Sequence, residues 1–583
     1  MKHLPARPSL EHLQKQAKEL HRSRADWQLA DAQRELAHEY GFTAWADLKR
    51  HVESVRVAKF EALAAGLLEK PNGPATIEDA RSQVARHLGF DDWPGLVASA
   101  NAKAPAVLAH GLSRTPPYFR CDHGANAIEP RMPLDEAGWD EIFEVMRTHR
   151  VTGLRAGGQM TDAALARLAD LDFVTDLRLD GSRRVTGEGL AHLARMPQLT
   201  VLHASGCSIA DEDLRVLEQL PALREFALYH HHAVSDRGLA HLAACHALER
   251  VELLGTPGGD GTLRALAGKP GLRHLRSGTM VTDAGAALLA DFPAFAQWQG
   301  GEAPSFALME FDARPTYLLL RGSITDDGMA HLARLAGVFA LNLDDANLPA
   351  TARGIAHLRT MENLGWLGFD AKDEEMAAIA TLPLLRFLMC QDSHANDAGW
   401  TALAGSRTLE GIWGRRSYGL SGAGFRALSR MPALKSLATS CKNVDDASLA
   451  ALADFAALTQ FMPMDFTDAG FRHVGARTAL TDLWCMYCRE TGDEATAHLT
   501  GLHRLRAYYA GSTRMTDRSL EMLARLPALE TIELWSCSGV TNAGVAALCN
   551  APLLRELSLG GMRNITRSAL AALPARVRVD LSD

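Results

Sequence analysis

Long apolar runs are missing from this 583-residue chain. No stretch of about 18 apolar residues occurs, so the sequence offers no membrane-spanning helix. The opening segment, MKHLPARPSLEHLQKQAKEL, has no apolar core of the kind an export signal needs. Charge of one sign is also scarce. With 61 Lys and Arg against 69 Asp and Glu, net charge is −8, which gives no electrostatic case for nucleic acid or an anionic membrane as partner. Nine cysteines without an export signal read as reduced thiols in a cytoplasmic compartment. Catalytic motifs are missing too. There is no Gly-x-Ser-x-Gly elbow and no His-Glu-x-x-His. The glycine-rich GTPGGDG, from Gly255 to Gly261, lacks the Lys-Ser/Thr of a phosphate-binding loop. His230, His231 and His232 fall at a strand end, where neighbouring side chains alternate in direction and do not converge on one ion. The expectation is a protein without catalytic residues, metal or cofactor.

What the sequence does have is a repeat. With 47% hydrophobic and 22% charged residues it has a folded composition. MTDAALARLADLDFVTDLRLDGS starts at Met160, VTGEGLAHLARMPQLTVLHASGC at Val185 and VSDRGLAHLAACHALERVELLG at Val234. Later copies include LSGAGFRALSRMPALKSLATSC from Leu420, MTDRSLEMLARLPALETIELWSC from Met515 and VTNAGVAALCNAPLLRELSLGG from Val540. The period is about 24 residues, giving roughly 17 units over residues 134–583.

Each unit has a physical reading. Thr161, Ser235, Thr282, Thr325, Thr467 and Thr516 are placed as helix N-caps, whose hydroxyls accept from orphan backbone N–H groups. The Asp that follows sits in the first turn, where the helix dipole favours negative charge. Apolar residues then recur at helical spacing, and Pro197, Pro221, Pro432 or Pro527 ends the helix. Next, L-x-x-L-x-L alternates with period two, which marks a short strand. Helix and strand repeated in one direction build a parallel sheet backed by helices, a curved α/β solenoid in which stacked neighbours bury what no unit can bury alone.

These repeats resemble the leucine-rich repeat family, and their TDAGL-xxLAxLPxLxxLxL form is similar to bacterial repeats of about 24 residues, including the GALA type. The resemblance covers about three quarters of the chain. Many copies lack the usual Asn after the strand. Residues 291–323 break the period, with strand-like runs at Phe306 to Phe311 and Thr316 to Leu320, and are expected to form a degenerate or fused repeat, a hinge or a loop-bearing interruption. The resemblance implies a protein-binding scaffold. GALA-type proteins recruit ubiquitin machinery through an F-box, which would make the chain an effector or adaptor, although residues 1–130 show no F-box-like segment. A third reading is a small-molecule sensor or enzyme with its site near 291–323.

Residues 1–100 carry a different repeat. Gly-Phe-x-x-Trp-x-x-Leu occurs at Gly41 to Leu48 and again at Gly89 to Leu96. Each copy reads as a helix stopped at the Gly and followed by a second short helix. Phe42, Trp45 and Leu48, like Phe90, Trp93 and Leu96, are expected to fill the core of a small helical bundle. The module resembles a helical region found ahead of ankyrin repeats in some bacterial proteins. A linker over 101–133 leads to the solenoid, whose first helix is expected at EAGWDEIFEVMRTH.

With the first Leu of each strand motif as position 1, positions 1, 4 and 6 point inward and positions 3, 5 and 7 reach the concave surface. The early repeats place Asp176, Arg178, Asp180, His203, Glu225, Tyr229, Arg250, Glu252, His274 and Arg276 there. The later repeats place Trp366, Phe387, Met389, Trp413, Met462, Met464, Trp484, Met486, Tyr509 and Trp535. An exposed aromatic strip of that kind marks a partner site, unless a register slip of one residue turns it inward. About 17 strands at about 4.8 Å span roughly 80 Å, which suits a protein or peptide partner better than a metabolite. The Cys-x-x-Cys of WCMYC belongs to the same pattern. Cys485 takes an inward position and Cys488 the position held by Cys207 and Cys537 in their repeats, so both are expected to be core thiols.

Overall fold

The computed structural model describes residues 10–24, 27–40, 42–68, 74–87, 92–101, 119–122, 125–130, 134–299, 316–344, 348–486, 488–562, 564–566, 569–570 and 572–582. The chain divides into two compact units, Met1–Arg155 with Ile565–Ala571, and Ala156–Asn564 with Ala572–Asp583.

In the second unit the Thr-Asp pair opens the helices. Thr161, Ser235, Thr282, Thr325 and Thr516 have extended backbones, and their hydroxyls accept from the N–H of Ala164, Arg237, Ala284, Asp327 and Arg518. Such caps are worth about 1 kcal/mol each. Thr467 has the same backbone, but its hydroxyl caps nothing and a 3₁₀ turn, Asp468–Gly470, precedes the helix Phe471–Ala476.

The Asp does more than meet the dipole of its own helix. Its carboxylate reaches the cap of the next repeat. Asp162 accepts from the Thr186 N–H at 2.8 Å and the Thr186 hydroxyl at 2.7 Å. Asp211 holds Ser235, Asp260 holds Thr282, Asp326 holds Thr351 and Asp517 holds Thr541 in the same way. The glycine of the motif leaves room for this carboxylate. A Cβ on Gly189 would lie 2.0 Å from Asp162 Oδ1, and one on Gly544 would lie 2.4 Å from Asp517 Oδ1. Thr-Asp-x-Gly is therefore one device spanning two repeats, with the Asp of one stapled to the Thr and Gly of the next.

The strands of this unit, from Asp176–Arg178 to Arg578–Ser582, pair in parallel and in register. Position-4 side chains such as Leu177, Phe226, Leu388 and Leu557 align from rung to rung and are buried. The chain is a leucine-rich-repeat solenoid, with helices alternating with the strands of a long parallel sheet. In the first and last rungs of this unit position 8 takes a left-handed residue, at φ 75° for Gly181 and 72° for Gly206, but also at φ 49° for His230 and 51° for Ser536. Position 9 then reaches back to the preceding repeat. The Thr256 hydroxyl donates to the Leu228 carbonyl at 2.6 Å, the His231 ring to that of Cys207 at 2.9 Å and the Cys488 thiol to that of Pro463 at 3.1 Å. These bonds fill the place of the missing Asn. Cys485 and Cys488 are buried, and burial pushes the Cys488 thiol up to about 12. His231 lies inside while His230 and His232 are exposed.

The irregular stretch keeps the sheet unbroken. Tyr317–Leu319 pairs with both His274–Arg276 and Ala340–Asn342, so it is a single rung. Asp283 reaches across the insertion to Thr325, at 2.8 Å to its N–H. The run from Phe306 to Phe311, with the rest of 300–315 in the 291–323 site considered from sequence, lies outside the described residues.

The first unit contains helices Leu10–Arg22, Leu29–Glu39, Trp45–Leu68, Ile77–His87 and Trp93–Asn101. Leu13, Ala17, Leu36, Ala37, Leu48 and Val52 form a core, with Phe42 and Trp45 packed against it and partly buried. Trp45–Leu68 has 24 residues, far longer than the short helix expected there, because apolar and helix-favouring residues continue past Leu48. Gly41, Gly89 and Phe90 lie outside the described residues; Leu96 is buried. Within the segment expected to be linker, Phe119–Asp122 and Ala127–Pro130 form an antiparallel hairpin. The helix Glu136–His149 follows, capped by Asp135. Among the described residues no helix is long and apolar enough to cross a membrane.

Candidate functional site

Period-two alternation puts positions 3, 5 and 7 on the sheet face opposite the buried Leu row. The early rungs of that face form a closed ionic network. Arg178 pairs with Asp176 at 3.2 Å, and His203 with Glu225 at 2.8 Å and Asp180 at 3.5 Å. Glu252, only 3% exposed, is the centre. It receives Arg250 at 2.6 Å, His274 at 2.9 Å, Arg276 at 3.3 Å and the Tyr229 hydroxyl at 2.7 Å. Burial works against its charge, but the His274 hydrogen bond, the Arg276 charge and the Tyr229 hydroxyl outweigh it and pull its carboxyl down to about 2. For His203 burial lowers the affinity for a proton, yet hydrogen bonds to Asp180 and Glu225 leave it raised; for His274 burial prevails and the shift is downward. The His274 ring stacks on Tyr317 at 4.7 Å.

The later rungs correct one expectation. Trp366, Phe387, Trp413, Met462, Met464 and Trp484 lie on this face as the alternation placed them, with Trp366 opposite Phe387, Trp413 opposite Met389 and Trp484 opposite Tyr509. They are not exposed. All six are buried in one cluster with Tyr317, Leu319, Phe339 and Met389, against which Leu254 and Trp298 pack. In-register parallel strands hold large side chains of one row against each other, so ring covers ring. Trp366 stacks on Phe387 at 6.0 Å and 3°, and Trp484 on Tyr509 at 4.8 Å and 5°. Small residues admit the large ones. A Cβ on Gly411 would lie 2.4 Å from the Phe387 ring.

Only the last rungs of the strip stay open. Met486 and Tyr509 are half-buried, and Trp535 is 45% exposed. The Trp535 ring leans over Gly560, where a Cβ would meet it at 2.1 Å. Glu533 and Glu556 are exposed beside it, and Asp482 and Asp580 are half-buried.

Several residues on this face were not singled out from sequence. Tyr317 and Leu319 were hidden by the broken period. Glu533 and Asp580 hold position 5 and were legible from the same numbering. Asp344 and Asp370, at position 7 of neighbouring rungs, share a hydrogen bond. Burial first, then the Asp344 hydrogen bond and charge, push the Asp370 carboxyl up to about 8. Among the described residues no cluster of His, Cys, Asp or Glu is arranged to hold a metal.

No protein-family profile matches the chain, and no curated protein matches it in sequence. Among solved structures it is similar to a chain of the yeast Rad7–Elc1 complex, at 14% identity, covering 76% of this chain and 92% of that one with a TM-score of 0.34. It is also similar to TLR13 in its complex with ssRNA13, at 14% identity, 78% and 73% coverage and a TM-score of 0.42. An internalin, inlF of Listeria monocytogenes, matches at 15% identity, 73% and 94% coverage and a TM-score of 0.25. Likenesses this distant carry nothing about function, and the class of the protein rests on its own repeat and register.

Proposed function

We propose that the chain is a non-enzymatic binding scaffold that holds a protein or peptide partner on the sheet face opposite the helices. The observation that carries this reading is Trp535, an indole 45% exposed at the end of a row whose other large side chains are packed away. Exposed Trp beside a half-buried Tyr and Met, rimmed by charge, has the composition of an interface anchor. Direct contact falls to Met486, Tyr509 and Trp535. Trp366, Phe387, Trp413, Met462, Met464 and Trp484 hold the face in shape beneath or beside it.

The test is affinity capture with wild type and a Trp535→Ala/Tyr509→Ala variant, after circular dichroism shows that both are folded. A partner retained by wild type and lost by the variant supports the reading. Identical capture by both places the contact elsewhere.

A further inference from the structure

The open end of the face differs from its beginning in how its carboxylates are matched. In the early rungs each carboxylate on the face meets a cation or His: Asp176 meets Arg178, Glu225 meets His203, and Glu252 meets two Arg and a His. At the open end Glu556 pairs with Arg578 at 2.7 Å. Glu533 and Asp580 have no ion-pair partner among the described residues, and Asp580 Oδ1 is buried without a hydrogen bond. The register places these groups together. Tyr509, Glu533, Ser558 and Asp580 follow one another along one row, and Trp535 stands over Gly560 in the next. Ser558 therefore lies between two carboxylates along the row, with an exposed indole covering Gly560 beside it. Burial and then the Asp580 charge raise the Glu533 carboxyl, and burial pushes the Tyr509 hydroxyl up to about 12, with Asp482, Glu533 and Glu556 adding to the shift. Of Glu533, Glu556 and Asp580 at this end, Glu533 and Asp580 are the two left without an ion pair among the described residues.

Building on the scaffold reading, we propose that the partner presents a basic segment here, a Lys or Arg side chain lying between Glu533 and Asp580 with its stem or cationic head against the Trp535 ring. A cation at that place gains two carboxylates and an aromatic face at once. It also explains why Trp is kept at the surface only where the carboxylates are unmatched. An acidic segment would meet like charge, and a neutral apolar one would leave both carboxylates desolvated and unpaired.

Two fluorescent dodecapeptides, one alternating Lys and Arg with Gly and one carrying Glu at the basic positions, test this by anisotropy with the full chain. Binding of the basic peptide is expected, weakening as salt rises, with none of the acidic one. Glu533→Lys/Asp580→Lys is expected to weaken it at least tenfold. A control with the same change of charge on two helices, Glu494→Lys/Glu521→Lys, is expected to change it less than threefold. Equal loss in the control, or equal binding of the two peptides, overturns the basic-segment proposal. The scaffold reading is judged separately by the captured partner. If its capture depends on Trp535 and Tyr509 but not on Glu533 and Asp580, the face stands and the basic class falls. If it depends on neither pair, both fall.

Discussion

Asp162→Ala removes one staple of the repeat. The Thr186 N–H and hydroxyl lose an acceptor at 2.8 and 2.7 Å. Hydrogen bonds to a charged group contribute roughly 1.5–3 kcal/mol, and a first-turn acid adds about 0.3–1 kcal/mol, so a cost of about 2–4 kcal/mol is expected. Gly189→Ala attacks the same joint from the other side. Its Cβ would meet Asp162 Oδ1 at 2.0 Å and Cγ at 2.7 Å, and the Asp162 Cα at 3.0 Å. Overpacking costs about 1–3 kcal/mol, offset by at most ~1 kcal/mol of helix propensity. With Asp162 shortened to Ala the two nearest obstructions are gone, and only the Cα approach remains. Gly189→Ala is then expected to cost less than about 1 kcal/mol in the Asp162→Ala background. Urea unfolding of the four proteins, with hydrogen exchange at the Thr186 amide as the local readout, measures the cycle. Strict additivity of the two substitutions would refute the staple as the reason for Thr-Asp-x-Gly.

Three further outcomes are expected. Trp413→Ala empties a buried place in the ring cluster and should destabilise by about 3–5 kcal/mol in urea unfolding, whereas Trp535→Ala should cost less than about 1 kcal/mol. Asp370 has a folded carboxyl raised to about 8. Its contribution is fully present below the unfolded value near 4 and is lost as pH rises to about 8, so the thermal-stability advantage of Asp370→Asn over wild type should grow between pH 4 and pH 8. Glu252 has the opposite sign, with a folded carboxyl at about 2. Its contribution is present above the unfolded value near 4.5 and lost as pH falls toward 2. Glu252→Gln should therefore destabilise at pH 7, by about 3–5 kcal/mol for an opened buried pair, and approach wild type near pH 2 in an acid titration.

Much of the fold was legible because it is written many times over. The Thr caps, the Pro stops and the L-x-x-L-x-L strands recur often enough for Leu177, Phe226 or Leu388 to be placed inside from period alone. The Asp–Thr–Gly joint was not, because its partners lie a whole repeat apart and a single repeat shows only an Asp in a first turn. The face followed the same division. Alternation assigned Trp366, Phe387 and Trp484 to the correct side, since backbone geometry decides that. Exposure depends on neighbours about 4.8 Å away in space and about 24 residues away in sequence, and those neighbours closed over the rings. The 291–323 stretch hid the rung at Tyr317 because an insertion lengthens the spacing without breaking the hydrogen-bond ladder.

The most direct measurement is hydroxyl-radical footprinting of the free chain, read by mass spectrometry at each Trp of the face. Trp535 is expected to oxidise readily and Trp366, Trp413 and Trp484 to be protected, as on a face that is closed along its middle and open at its last rungs. Oxidation of Trp413 and Trp484 as fast as that of Trp535 would contradict it.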